Sequence, residues 1–409
     1  MAVQQRRMDA HQAAQRLGVK VETLYAYVSR GLISSERGAD GRSSTFATAD
    51  VERLALRGRP RRSSRGPVID VAVETALTDI DGRRLRYRGQ DVVGLSRRCS
   101  FEQVAHLLWD GSVPEPAPSW EAGHVLAPAP ATASMLDRLR LAVALDGCRP
   151  RPPVDLGPDG AGSLLAAGPE LIATMVDALP ARSGGAVPTL RLPDRPGVRG
   201  TVAARLAVRL TDRRPAPALV AAVNAALVLL ADHEMAASTL AARVAASVRA
   251  DAHAVVSAGM GPVAGALHGQ ASRAVRALFE DAARTSPAAA VGRCADRPGP
   301  VPGVGHGLYP HGDPRAVALL DAVRASGGSA RRMRLVDEVV AEVAAQGLGR
   351  PNVDMALGAL GHTWSMPTDA GEAVFTVARS AGWLAHGAEE WARRPLRFRA
   401  RARYVGPRP

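Results

Sequence analysis

The sequence predicts a mainly α-helical protein, with a large helical body preceded by a small head of two short helices and a hairpin. Three observations carry that prediction. From Pro217 onward apolar residues recur at helical spacing, as in PALVAAVNAALVLLADHE, STLAARVAASV, DPRAVALLDAVRA and RLVDEVVAEVAAQ. Near the start, MDAHQAAQRLGVKVETLYAYVSRGLISS shows helical spacing twice, through Ala13, Ala14, Leu17, Val19, Leu24, Val28 and Leu32, broken at Gly18 and Gly31. Between the two regions lies RGRPRRSSRGP, residues 57–67, with five arginines in eleven positions and no apolar periodicity.

Taken in order, the head reads as two short helices joined by a glycine-containing turn, the second carrying Glu22, Thr23, Tyr25 and Arg30. SSERGADGRSSTF then reads as a tight hairpin around Asp40-Gly41, and ATADVERLAL as a further short helix. Residues 57–67 read as a flexible basic linker and a domain boundary. In the body, ALTDIDGRRLRYRGQDV suggests a small hairpin turning at Asp81-Gly82, and SFEQVAHLLWDGSVPE a helix opened by a serine cap. Residues 112–200 are rich in Pro, Gly and Ala and carry little signal.

Composition excludes several classes. At 409 residues the chain is long enough for two or three domains with their own cores. No run of eighteen apolar residues is present, and the N-terminus lacks the apolar stretch of a signal peptide, so a cytoplasmic protein without a membrane span is expected. Cys99, Cys148 and Cys294 are odd in number and far apart, which fits a reduced compartment and no zinc finger. His306 and His311 have a tolerable metal spacing but no further ligands, so no metal site is assigned. Net charge is +13, and more than half of that excess lies within residues 1–65. Lys20 is the only lysine; the arginine bias reads as nucleotide composition rather than function.

Five places combine a charged or polar group with apolar or glycine-rich surroundings. An apolar helix runs into Asp232-His233-Glu234, where the plain alternative is a helix reaching the surface. His268 follows a run of small residues, and a lone histidine there is more often an incidental turn residue. His306 stands between glycines in VPGVGHGLYPHGDPR, which lets a ligand approach the imidazole closely, although such a loop can be only a turn. Asp354 heads an apolar segment, as an ordinary first-turn carboxylate would. Arg379 sits among apolar neighbours, and a buried guanidinium is costly without a counter-charge. Either an anionic ligand or an ion pair from elsewhere in the chain would answer that need.

Two resemblances organise these pieces. LGV…TLYxYVxRGLI and its hairpin, about 50 residues, resemble the winged helix-turn-helix of MerR-type and excisionase-type DNA-binding domains; the alternative is a helical appendage used for packing. The order DHE…LHG…PGxGH…DPR…PNVD…AR…GW, with LRYRG at 85–89 and FEQVAHLLWDG at 101–111, resembles citrate synthases from about Thr75 to Gly406. That resemblance implies an all-α homodimer whose body, residues 68–409, has a large domain at about 68–262 and 367–409 and a small domain at about 263–366, preceded by a head at 1–56. It implies condensation of acetyl-CoA with oxaloacetate, a step of the tricarboxylic acid cycle, with acetyl-CoA as substrate and no bound cofactor.

By the same resemblance Asp354 would remove a methyl proton from acetyl-CoA while neutral His268 donates to the forming enolate. His306 would polarise the ketone of oxaloacetate and supply its proton. His233, Arg315, Arg379 and Arg399 would hold the dicarboxylate, and Pro302, Gly303, Val304 and Gly305 would meet the adenine end of CoA. Leu230, Gly307 and Gln270 depart from the residues the family usually has. The rival functions are 2-methylcitrate synthesis from propionyl-CoA, since one methylene is worth only ~1–3 kcal/mol of discrimination, and a DNA-binding regulator that senses citrate or acyl-CoA. A head that binds protein instead of DNA is a further alternative.

Overall fold

Ala13, Ala14, Leu24, Tyr27, Ile33 and Phe46 form an apolar cluster separate from the main core, and around it the head is built. The computed structural model describes residues 7–29, 31–37, 43–48, 50–51, 54, 72–123, 129–150, 157, 160–184, 187–265, 268–297, 299–399, 404 and 406. In the head, helix Ala10–Leu17 starts at a capping box, Asp9 accepting from the Gln12 amide at 2.8 Å and Gln12 accepting from the Asp9 amide at 3.1 Å. The second helix spans Val21–Ser29. Strands β1 (Arg7–Asp9), β2 (Ser35–Arg37) and β3 (Ser44–Ala47) form an antiparallel sheet in the order β1-β3-β2, with Met8 and Ser35 both opposite Phe46. The expected hairpin strands are therefore present, while its turn at Asp40-Gly41 and the linker 57–67 lie outside the described residues. Leu32, past the helix that ends at Ser29, is 39% exposed, and Leu17, Val19 and Val28 are partly buried.

The body opens with a second antiparallel sheet, β4 (Thr78–Ile80), β5 (Leu85–Tyr87) and β6 (Gln90–Asp91), whose first turn falls at Asp81-Gly82 as expected. Helix Phe101–Asp110 follows, with Ser100 and Gln103 capping each other. The stretch 112–200 is richer in structure than its composition suggests. It holds helices Met135–Gly147, Gly160–Ala166 and Gly168–Asp177. Pro and Gly at their ends and small residues within them blurred the apolar stripe that marks the later helices.

Helix Ala370–Trp391 is the axis of the body. Nearly all its residues are buried, because Phe101–Asp110, Pro217–Leu230, Ala237–Ser247 and Ala252–Val263 all pack on it. A helix surrounded in this way has no polar face to spare. Its last turns carry paired charges: Arg243 bonds Glu390 at 3.0 Å and Glu389 at 2.7 Å, and His386 stands between Arg243 and Asp232 at 2.7 and 3.2 Å. Arg397 joins the same cluster through Glu390 at 2.7 Å. No helix among the described residues is long and apolar enough to cross a membrane.

Gly382 lets this axis touch the turn that carries Asp232 and His233. Its amide donates to the Ala231 carbonyl at 3.1 Å, and an added Cβ would stand 2.4 Å from that carbonyl oxygen and 2.6 Å from Asp232 Oδ1. We expect Gly382→Ala to lower the free energy of unfolding by ~1–3 kcal/mol, the usual cost of overpacking, despite alanine's better helix propensity. Chemical denaturation measures it; an unchanged midpoint would mean that the turn yields freely.

Candidate active site

The six histidines, arginines and carboxylate singled out in the body, other than Arg399, reach one place. His233, His268, His306, Arg315, Asp354 and Arg379 all line a cavity of about 900 Å³. Each arrives on a different element. His233 follows helix Pro217–Leu230, His268 precedes helix Ala271–Arg284, and His306 lies in the loop before helix Pro314–Ala325, which carries Arg315 in its first turn. Asp354 is in the first turn of helix Val353–Thr363, and Arg379 is midway along Ala370–Trp391. Next to His233, Glu234 adopts φ +56° and also lines the cavity. That left-handed backbone is uncommon outside glycine and marks a locally strained turn.

Arg379 is 1% exposed and donates through Nε to the Leu230 carbonyl at 2.8 Å. Its guanidinium also lies over the Phe375 ring at 4.8 Å. Among the described residues no carboxylate forms an ion pair with it, so the alternative of a structural ion pair finds no partner there. Burial lowers its pKa, with Asp232 opposing. Arg315 differs. It is equally buried but grips Asp313 with two nitrogens, Nε at 2.9 Å and Nη2 at 2.8 Å. The same Asp313 accepts the amides of Arg315 and Val353, each at 3.0 Å, and so ties together the starts of two helices.

The imidazoles are uncharged at neutral pH. Burial, and then Arg379, pushes His268 down to about 4; burial, and then Arg315, does the same to His306. His233 is driven well below its ordinary value by burial and both arginines. Hydrogen bonds fix what each ring offers. His306 Nδ1 accepts the Leu308 amide at 3.1 Å, so its proton sits on Nε2. His268 Nε2 pairs with Ser238 Oγ at 2.9 Å, leaving Nδ1 for the cavity. His233 Nε2 pairs with the Tyr309 hydroxyl at 3.0 Å. The His233 and His306 rings meet edge to face at 5.1 Å.

Asp354 shows the opposite shift. Burial raises its carboxyl to about 6, with Arg315 pulling it down and Asp313 pushing it up. Asn352 caps its helix, accepting the Asp354 amide at 2.9 Å while donating to the Gly305 carbonyl at 2.9 Å. A carboxylate made more basic by burial, three neutral imidazoles and a buried cation with no ion-pair partner among the described residues make a site suited to moving a proton beside an anionic ligand.

Not every expected residue is there. Arg399 is exposed and does not line the cavity of its own chain. Pro302, Gly303, Val304 and Gly305 also stand outside the lining; they are pinned to residues 350–352, with Gly303 (φ +73°) packed against Val275 and Met355. The departures have simple places: Leu230 supplies its carbonyl to Arg379, Gln270 donates to the Ala264 carbonyl at 2.7 Å, and Gly307 faces open space. Ser238, Tyr309 and Asp313 escaped the sequence reading. Only Asp313 left a signal, as the Asp of an Asp-Pro helix start.

The family described as "Citrate synthase, C-terminal domain" matches residues 69–401, and "MerR HTH family regulatory protein" matches residues 8–57. Citrate synthase from Acidithiobacillus ferridurans is 30% identical over 374 residues, covering 82% of this chain and 93% of that protein. 2-Methylcitrate synthase 1 from Corynebacterium glutamicum is 28% identical over 344 residues, covering 77% and 88%. In fold, the chain is similar to citrate synthase from Thermoplasma acidophilum, solved as a ternary complex with carboxymethyl coenzyme A and oxaloacetate. The TM-score is 0.66 at 23% identity, covering 83% of this chain and 95% of that one.

Proposed function

The chain belongs to the citrate synthase family, and from that premise we propose that it condenses acetyl-CoA with oxaloacetate to give citrate and free CoA. It is an acyltransferase of the citrate synthase type. The observation that carries the finer reading is the gathering of Asp354, His268, His306 and Arg379 around one cavity.

In this mechanism Asp354, ionised at neutral pH yet basic for a carboxylate, takes a methyl proton from the acetyl thioester. His268 donates from Nδ1 to the thioester oxygen as the enolate forms, a role for which a neutral imidazole held by Ser238 is suited. The enolate carbon attacks the ketone carbon of oxaloacetate. His306 hydrogen-bonds the ketone oxygen through Nε2 and supplies its proton, with Arg315 close enough to offset the negative charge left behind. Arg379 and the free Nη1 of Arg315 hold the dicarboxylate together with His233. Water then cleaves the citryl thioester. Residues 263–366 act as a small domain closing on 68–262 and 367–409. Arg399, which does not line its own cavity, reaches substrate from the second copy of a homodimer. Pro302–Gly305 meets the adenine end of CoA outside the reaction cavity.

Propionyl-CoA is the rival acyl donor, favoured by the similarity to a 2-methylcitrate synthase. The head, residues 1–56, binds duplex DNA in this reading, through the helix Val21–Ser29 on which Tyr25 is 43% exposed.

Purified protein should release thiol from acetyl-CoA only when oxaloacetate is present. Folded protein inert with acetyl-, propionyl- and butyryl-CoA would sink the enzymatic reading and favour a sensor. Asp354→Asn should cut turnover by ~10²–10⁴-fold while leaving oxaloacetate binding nearly intact, and Arg379→Leu should mainly raise the oxaloacetate requirement. Because Asp354 works only when ionised, kcat/KM for the acyl-CoA should fall as pH drops through about 6. A flat profile from pH 5 to 8 would remove Asp354 as the base. For the head, each phosphate contact should add ~0.9 to the log–log salt slope of DNA binding. Replacing Arg59, Arg61 and Arg62 by Ala should flatten that slope for all sequences, whereas changing Thr23 or Tyr25 should erode preference between sequences. No DNA binding by the full chain at low salt would make the head a protein-contact module.

A further inference from the structure

A second cavity, of about 740 Å³, lies at the other end of the helix that carries Asp354 and shares no lining residue with the first. Asp354 opens helix Val353–Thr363, and His362, eight residues later and ~12 Å along the axis, closes it. Two more helices begin at this cavity, Pro287–Ala295 behind Ser286 and Ala330–Ala345 behind Ser329. Each start is capped by its serine, Ser286 accepting the Ala289 amide at 3.2 Å and Ser329 the Arg332 amide at 3.4 Å, and helix starts favour anions.

The side chains repeat the message. Arg284, Arg331, Arg332 and Arg334 line the cavity against only two carboxylates, Glu280 and Glu338. Glu280 already faces Arg276 at 3.6 Å. Arg331 and Arg334 are exposed and enter no ion pair among the described residues. Arg332 is positioned by its bond to the His362 carbonyl at 2.9 Å. The independent observation is His362 itself. It lines the cavity, is 6% exposed, and its Nε2 has no hydrogen-bond partner. Leaving a buried ring nitrogen unpaired is costly. An anionic oxygen arriving from the cavity would satisfy it, and Phe279 packs on the ring at 5.3 Å to hold it in place.

We infer that this cleft is a second ligand site, for a small molecule bearing two or more phosphate groups, bound by Arg331, Arg332, Arg334 and His362. Several guanidinium groups spread over a space this large fit a polyphosphate better than a single carboxylate, and Arg forks match phosphate oxygens. A duplex backbone could meet Arg331 and Arg334 at the rim but not the buried His362. The site is separate from the condensation chemistry, so its test stands apart from the enzymatic reading.

Inorganic pyrophosphate titrated calorimetrically into the full chain is the probe. One binding event is expected, weakened at least about tenfold in the double variant Arg331→Ala/Arg334→Ala and also weakened in His362→Gln. Arg379→Leu, in the first cavity, should leave it unchanged. Absence of binding would overturn the inference, as would binding that survives the double variant or disappears in Arg379→Leu. Loss of duplex DNA affinity in the double variant without any pyrophosphate binding would also overturn it, in favour of a nucleic-acid surface.

Discussion

A buried positive charge that forms no ion pair among the described residues governs the body of this protein. Arg379 is enclosed on the central helix, oriented by the Leu230 carbonyl, and paired with no carboxylate among the described residues. Burying a guanidinium in that state costs stability, and an anionic ligand would offset the cost. Its field has a second effect. With burial it holds down His233 and His268, while Arg315 does the same for His233 and His306, so the cavity offers N–H donors instead of competing cations.

The remaining geometry follows from how the other charges are tied down. Asp313 neutralises Arg315, caps its helix, and accepts the amide that starts the helix of Asp354. One carboxylate therefore sets the spacing between the Arg315 guanidinium and the Asp354 carboxylate. On the opposite wall, close approach of Gly382 fixes the turn of Asp232 and His233 against the axis, and the Asp232–His386–Arg243–Glu390 chain extends that rigidity to Arg397. Sites built on packed helices hold their side chains more tightly than sites on loops. Here the three histidines lie off the helices, and His306 is steadied by the Leu308 amide and by the neighbouring 303–305 segment anchored to Arg350 and Asn352.

The head is organised differently. Its apolar cluster is its own, and the five arginines of residues 57–67 separate it in sequence from the body. A domain with an independent core can act on its own partner while the body turns over its substrates. The positive charge concentrated in residues 1–65 suits a polyanionic partner.

The helical class, the two-part organisation and the ordered string of site residues were legible in the sequence because helical periodicity and short glycine-flanked motifs are local signals. His268, His306, Asp354 and Arg379 could be picked out one by one, each beside a plain alternative. Local signals ended there. That four distant segments converge on one cavity is a property of packing around helix Ala370–Trp391, and so are the pKa shifts, which arise from burial. Ser238, Tyr309 and Asp313 are ordinary residues until tertiary contact gives each a histidine or arginine to hold. His362 lines a second cavity with an unpaired nitrogen, which no local pattern signals. Helices in 112–200 were hidden because they are short and set among Pro- and Gly-rich stretches. The sequence by itself determined which chemistry-bearing residues exist and in what order. Only the tertiary structure decided which of them meet, which charges stay unpaired, and that Arg399 stands outside its own cavity, since distance across the fold is set by packing and not by position along the chain.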